Sequence, residues 1–262
     1  MRIVSWNINS VRLRLETLKR VAEELQPDFL CLQEIKAQDS DFPADAMSEI
    51  GFPHQHIRGM KGYNGVAILA RTPLSDGGTR DWCAREDCRH VAADIGSKVE
   101  LHNFYVPAGG DEPDPKINEK FAHKLNFLEE ATAWSKDLSP KGKRILVGDL
   151  NIAPHENDVW SHKQLLKVVS HTPVEVEGLS AWQAAHGWVD AIRAVIPEDE
   201  KIYSWWSYRN RTWPGSDRGR RLDHIWVSPA LAKKVTGAGV FRDARGWEKP
   251  SDHAPVWADI DI

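Results

Sequence analysis

The order of elements in this 262-residue chain predicts an α/β fold: two packed β-sheets carrying helices on their outer faces. Two observations lead there. Short apolar strands alternate with amphipathic helical stretches in both halves of the chain, a mixture that two sheets with helices outside bury economically. The chemically useful side chains then fall at strand ends: Asn7, Glu34, Asp149 with Asn151, and Asp252 with His253. No Gly/Ser linker, charge block, low-complexity tract or repeat divides the sequence, so residues 1–262 are expected to form one domain.

The opening Met1-Arg2-Ile3-Val4-Ser5-Trp6 is strand-like. A helix follows over about 13–25, with Leu15, Leu18, Ala22 and Leu25 on one face, and Pro27 ends it. Residues 28–35 return as a buried strand, and 65–70, 90–95 and 99–106 follow as strands. Ile117, Phe121, Leu125 and Leu128 recur at helical spacing and define a second helix near 116–134. Residues 144–147 form the next short buried strand, closing at Gly148-Asp149. The second half repeats the theme, with helices near 160–168 and 180–195 and strands near 203–208, 221–227, 235–242 and 256–262.

Composition bounds the class. With 41% apolar residues the chain can bury a substantial core, and no apolar run approaches the ~20 residues of a membrane span. The N-terminus lacks the apolar region of a secretory signal. Cys31, Cys83 and Cys88 are an odd set without zinc-site spacing, so reduced thiols and a cytoplasmic protein are expected, with a Cys83–Cys88 disulfide the disfavoured alternative. A formal charge of −4 does not mark a nucleic-acid binder, but charge is unevenly distributed. Between Arg209 and Arg221 lie five arginines, Arg209, Arg211, Arg218, Arg220 and Arg221, against one acid, Asp217. Trp205, Trp206, Tyr208 and Trp213 interleave with them, which suits phosphate contacts beside stacking surfaces.

The strand-end residues suit one chemistry. Hydrolysing a phosphodiester requires neutralising a nonbridging oxygen, activating water and stabilising the departing oxygen. Hard carboxylate and amide oxygens suit Mg²⁺, and Glu34 is the first candidate ligand, with Asn7 and Asp252 beside it. Asp149 and Asn151, two apart, share a face on extended backbone, where Asp149 takes a proton from water and Asn151 orients it. A plain Asp-x-Asn turn is the alternative. His253 is suited to contact the phosphate or activate water, with Asp223 fixing its tautomer. Tyr105 offers a phenol to a phosphate oxygen, unless a backbone group satisfies it. There is no HExxH zinc motif, no serine in a nucleophile elbow and no Walker glycine loop.

Taken in order, these residues give the chain a resemblance to the exonuclease III family of apurinic/apyrimidinic endonucleases, within the DNase-I-like endonuclease/exonuclease/phosphatase superfamily. It runs from Trp6-Asn7-Ile8-Asn9 to Ser251-Asp252-His253-Ala254-Pro255. Between them come Pro27-Asp28-Phe29-Leu30-Cys31-Leu32-Gln33-Glu34-Ile35-Lys36, Gly62-Tyr63-Asn64-Gly65, Tyr105-Val106-Pro107, Gly148-Asp149-Leu150-Asn151-Ile152-Ala153-Pro154 and Arg221-Leu222-Asp223. The resemblance implies a four-layer α/β/β/α sandwich and Mg²⁺-dependent attack on DNA, with Mn²⁺ as a substitute. It makes Glu34 a metal ligand supported by Asn7 and Asp252. Asp149, with Asn151 beside it, positions the nucleophile and adjoins the metal. Tyr105 supports the phosphate, and His253 pairs with Asp223. Trp205, Trp213 and Leu222 surround a pocket for a flipped-out abasic sugar, with Arg220 and Arg221 on the substrate side. The sequence departs from its relatives at Ala108, where Asn or Gln is usual, and at Arg220, where some carry an aromatic residue; Trp213 is expected to supply that surface.

The expected activity is incision of duplex DNA 5′ to abasic sites, together with 3′-to-5′ exonuclease action and removal of 3′ blocking groups. The expected partner is double-stranded DNA with abasic sites or blocked 3′ ends, with no membrane, and the resemblance implies a monomer. Three rivals stand beside it: a phosphohydrolase of the same superfamily acting on another phosphoester, a non-catalytic DNA-binding relative, and a Trp-rich carbohydrate-active enzyme.

Overall fold

The computed structural model describes residues 1–262 except Ser97, Asn210 and Arg211. The Arg211 expected in the basic cluster therefore lies outside the described residues. Strands are β1 (Arg2–Asn7), β2 (Phe29–Gln33), β3 (His54–Arg58), β4 (Val66–Ala70), β5 (Leu74–Asp76) and β6 (His90–Ile95). Then come β7 (Val99–Tyr105), β8 (Lys143–Asp149), β9 (Val189–Asp190), β10 (Asp223–Val227), β11 (Val235–Val240) and β12 (Val256–Ile260). Helices are α1 (Leu15–Leu25), α2 (Ala44–Ile50), α3 (Glu119–Lys136), α4 (His162–Leu165) and α5 (Pro173–His186).

One sheet runs β11-β12-β1-β2-β4-β3 and the other β5-β6-β7-β8-β10-β9. Alternation along each strand builds the layers. Ile3, Cys31 and Ile68 of the first sheet meet Leu101, Val147 and Ile225 of the second in a central core. Their neighbours Val4, Leu30 and Leu69 point outward to Leu18 and Val21 of α1 and Met47 of α2. On the far side Phe104, Leu146 and Trp226 meet Phe127, Leu128, Leu179 and Trp182 of α3 and α5. Strands buried on both faces read as continuous apolar runs, which is why these were legible. The result is the expected α/β/β/α sandwich.

Register then decides where strand ends go. β1 lies parallel to β2 with Asn7 opposite Gln33, and β7 lies parallel to β8 with Tyr105 opposite Asp149. β10 is antiparallel to β8, setting Asp223 against Asp149, and β12 is antiparallel to β1, setting Val256 against Ser5. The last residues of four strands and the first of two others thus share one edge.

Several expected elements differ. The helix expected at 180–195 runs instead over Pro173–His186. Thr172 and Glu175 cap it reciprocally, Pro173 opens it, and Gly187 in the left-handed region closes it. The helix expected from 116 begins after Asn118, whose side chain accepts the Lys120 N–H, leaving Ile117 exposed. Only His162–Leu165 of the 160–168 segment is helical. The strand expected at 203–208 makes no ladder; Trp205 forms only isolated bridges to Arg220 and His253. The strands β3 and β5 lie at sheet edges and were not anticipated. Cys31, Cys83 and Cys88 are free. Among the described residues no helix is long and apolar enough to cross a membrane.

Candidate active site

The shared edge opens into a cleft of about 1010 Å³ lined by Glu34, Tyr105, Asp149, Asn151, Asp252 and His253 among others. At its centre Asn7, the last residue of β1, donates from Nδ2 to Glu34 Oε1 at 3.0 Å and to Asp149 Oδ2 at 2.9 Å. Tyr105 donates its phenol proton to Glu34 Oε1 at 2.8 Å, and Lys36 Nζ lies 2.8 Å from Glu34 Oε2. Glu34 holds a positive φ of 49°, as its side chain turns from the strand end into the cleft. Burial alone would raise its pKa, but the bonds from Asn7 and Lys36 bring it below the ordinary value.

Asp149 is almost wholly buried. Its carboxylate accepts from Asn7, from the Asn151 amide at 3.1 Å and from the Asn151 backbone N–H at 3.0 Å. Burial, reinforced by Asp223 and Glu34, nevertheless pushes its pKa up to about 7. His253 completes the chain of groups: Nε2 stands 3.7 Å from Asp149 Oδ2, and Nδ1 bonds Asp223 Oδ2 at 2.8 Å. Burial opposes protonation of this imidazole, but Asp223 and Asp149 outweigh it and raise its pKa to about 10. The Ser204 hydroxyl donates to Asp223 Oδ2 at 2.6 Å while accepting the Leu222 and Asp223 N–H groups.

Asp252 accepts from Asn9 Nδ2 and Trp205 Nε1, both at 3.0 Å, and Lys36 also donates to Asn9 Oδ1 at 2.6 Å. Asn9 therefore links the Asp252 and Glu34 sides of the cleft. Below the floor, fully buried Lys124 donates to the Asn151 carbonyl at 2.8 Å and pairs with Glu175 at 2.5 Å. Asn9, Lys36, Ser204 and Lys124 were not assigned from sequence. Asn9 and Lys36 each lie two residues beyond an expected site residue, a spacing that signals a shared face; Ser204 and Lys124 carry no such signal.

The donor set fits a hard cation. Asp149 and Asp223 present carboxylate oxygens within 4.8 Å of one another, Asp223 Oδ1 is buried without a partner, and burial, to which the neighbouring acids add, holds Asp149 near neutrality. Glu34 and Asp252 contribute further carboxylate oxygens. Asn7 and Asn151 both turn amide nitrogens toward Asp149, and Asn7 Oδ1 accepts the Asn9 N–H.

The pocket residues divide. Trp205, Arg220 and Leu222 line the cleft, as do Arg209 and Arg218. Trp213 does not; it packs beside Trp206 and Arg245. Arg221 is corrected more sharply, being fully buried and unavailable to a substrate. Its Nε and NH2 grip both oxygens of Asp158 at 2.8 and 2.9 Å, and NH1 donates to Asp190 at 2.6 Å. Ala108 lines the cleft with no polar side chain, and its carbonyl accepts from Lys124.

Comparison with known proteins agrees with this geometry. Residues 4–253 match the Endonuclease/Exonuclease/phosphatase family. The chain is 34% identical to an exodeoxyribonuclease III of Haemophilus influenzae, over 99% of this chain and 100% of that one. It superposes on an AP endonuclease from Archaeoglobus fulgidus with a TM-score of 0.91 and 31% identity, covering all of both chains. A Neisseria 3′ phosphatase bound to product DNA hairpin gives a TM-score of 0.91 at 32% identity, again over all of both.

Proposed function

Since the chain belongs to the endonuclease/exonuclease/phosphatase family, we propose that it is a DNA-repair hydrolase of the exonuclease III type. It incises duplex DNA 5′ to abasic sites leaving a 3′-hydroxyl, degrades 3′ to 5′, and removes blocking groups from 3′ ends. The convergence of Glu34, Asp149 and His253, from the start, middle and end of the sequence, carries this reading.

Each residue has a task set by its surroundings. Asp149, poised near neutral pH, accepts a proton from the attacking water, which Asn151 orients beside it. His253, kept protonated by Asp223, offers Nε2–H to a nonbridging phosphate oxygen. Tyr105, whose pKa burial and Glu34 raise well above normal, remains neutral and fixes the Glu34 carboxylate beside the phosphate site with its one proton. Glu34 and Asp252 would hold Mg²⁺, or Mn²⁺ in its place, and the ion would supply neutralisation of phosphate charge and stabilisation of the departing 3′-oxygen. Arg209 and Arg218 meet DNA phosphates despite the acidic total. Trp205 and Leu222 shape a pocket for an extruded sugar, which an abasic site yields without losing base stacking. Residues 1–262 act as one domain and one monomer, and three free thiols support work in the cytoplasm.

Incubation with an abasic duplex and its intact counterpart, in Mg²⁺ and then in EDTA, tests the reading. Metal-dependent incision at the lesion is expected; equal inactivity in every condition rejects it.

A further inference from the structure

Lys124 lies on α3 below the floor of the cleft, fully buried, and its ammonium has three protons to give. It donates to the Asn151 carbonyl at 2.8 Å, to the Ala108 carbonyl at 3.3 Å and to Glu175 Oε1 at 2.5 Å. The two carbonyls belong to the chain segments that leave β8 and β7, the strands ending in Asp149 and Tyr105. One side chain thus ties both exits together. Gly109 packs closely over it: a Cβ there would stand 3.0 Å from Lys124 Cδ.

Glu175 anchors the ammonium from the other side. Its oxygens accept the Ser170 and Thr172 N–H groups and the Thr172 hydroxyl, and with Thr172 it caps α5. Contacts therefore run without a break from the start of α5 through Glu175 and Lys124 to Asn151.

Net stability is a weak reason for such a pair, because replacing both buried ions by apolar residues of similar volume is often neutral. An ammonium supplies what an apolar side chain lacks, namely directional bonds. Asn151 uses one of them. It holds a left-handed φ of 55°, a conformation that a non-glycine residue keeps only where its surroundings fix it. From that backbone its Nδ2 reaches the Val106 carbonyl at 2.9 Å and Asp149 Oδ2 at 3.1 Å. Rotation of the peptide at the Asn151 carbonyl would swing the amide off Asp149.

We infer that Lys124 is a positioning residue: by holding the Asn151 carbonyl it fixes the backbone turn that aims the Asn151 amide at Asp149. This rests on the proposed function, in which Asn151 orients the attacking water. Lys124 is sealed from solvent and acts only through Asn151.

The test removes both charges together, so that no ion is left stranded. Lys124→Met with Glu175→Gln keeps both volumes and leaves an acceptor for the Ser170 and Thr172 N–H groups. Single-turnover incision of abasic duplex in Mg²⁺, with enzyme saturating, is expected to slow by about 100-fold while the dissociation constant for DNA stays within about twofold of wild type. In an Asn151→Ala background the same two changes should slow the reaction by less than about threefold, because no amide remains to be aimed. A merely structural role would slow both backgrounds alike. Should the paired variant fail to fold, Lys124→Gln, whose donor stops one bond short, gives the same comparison. Equal slowing in the two backgrounds, or a near-normal rate with Asn151 present, overturns the inference and leaves the proposed function standing. Inactivity of the wild type toward abasic DNA in Mg²⁺ rejects that function and this inference with it.

Discussion

Replacing Arg221 by Met separates a structural arginine from a DNA-binding one. The substitution keeps most of the side-chain volume and removes three charge-assisted bonds to Asp158 and Asp190. Burial alone would raise the pKa of both acids, but Arg221 pulls each below the ordinary range. Removing one partner from a buried ion pair costs about 3–5 kcal/mol. Asp158 retains Arg193 at 2.5 Å, and Asp190 retains the N–H groups of Ile192 and Arg193, so about 4 kcal/mol is expected. At about 2.1 cal/mol/K per residue, 262 residues give an unfolding entropy of about 0.55 kcal/mol/K, hence a Tm loss of about 7 °C. The sign with pH follows. In the wild type this stabilisation is full above the unfolded Asp pKa of about 3.9 and is lost as pH falls through the depressed native values. In Arg221→Met the orphaned acids titrate upward, so the deficit is largest at neutral pH and shrinks toward pH 4. Calorimetry across pH measures the stability, and salt-titrated binding to duplex DNA measures phosphate contacts. A Tm within 1 °C of wild type, with a salt slope weakened by about 0.9, would show that Arg221 touches phosphate and that the buried assignment fails.

Other expectations follow from the same geometry. Asp149→Asn and Glu34→Gln should each lower incision of abasic DNA by several orders of magnitude with little change in Tm; near-normal single-turnover rates would remove their assigned roles. The pH profile of kcat/KM should rise through about 7 as Asp149 ionises and fall through about 10 as His253 loses its proton. Asp223→Asn should move the alkaline limb to lower pH, because Asp223 is the strongest support of the imidazolium; an unmoved limb contradicts the pairing. Lys124→Met leaves Glu175 buried without its cation, so urea unfolding should show a loss of about 3–5 kcal/mol, and unchanged stability would refute the pair.

The candidate site was legible because Asn7, Glu34, Asp149 and His253 sit where apolar strands stop or start, and a polar residue there has little packing value. Pairing register then needs only parallel and antiparallel neighbours to gather them at one edge. Elements failed where the signal was not periodic. The edge strand His54-Gln55-His56-Ile57-Arg58 is half-buried throughout and shows no apolar alternation. α5 was misplaced because the apolar content beyond Gly187, around Val189 and Ile192, belongs to a strand and turn instead. The arginine cluster misled for another reason. Counting acids along the local chain finds only Asp217, whereas the partners of Arg221 lie 63 and 31 positions away. Local charge balance cannot reveal such pairs, yet backbone geometry separates the two neighbours. The chain is extended at Arg220, which bridges to Trp205, and consecutive side chains on extended backbone face opposite ways. Arg221 turns inward to two aspartates, so Arg220 must turn to the cleft, where among the described residues no carboxylate pairs with it. Two adjacent residues of one type thus divide between holding the fold and lining the cleft.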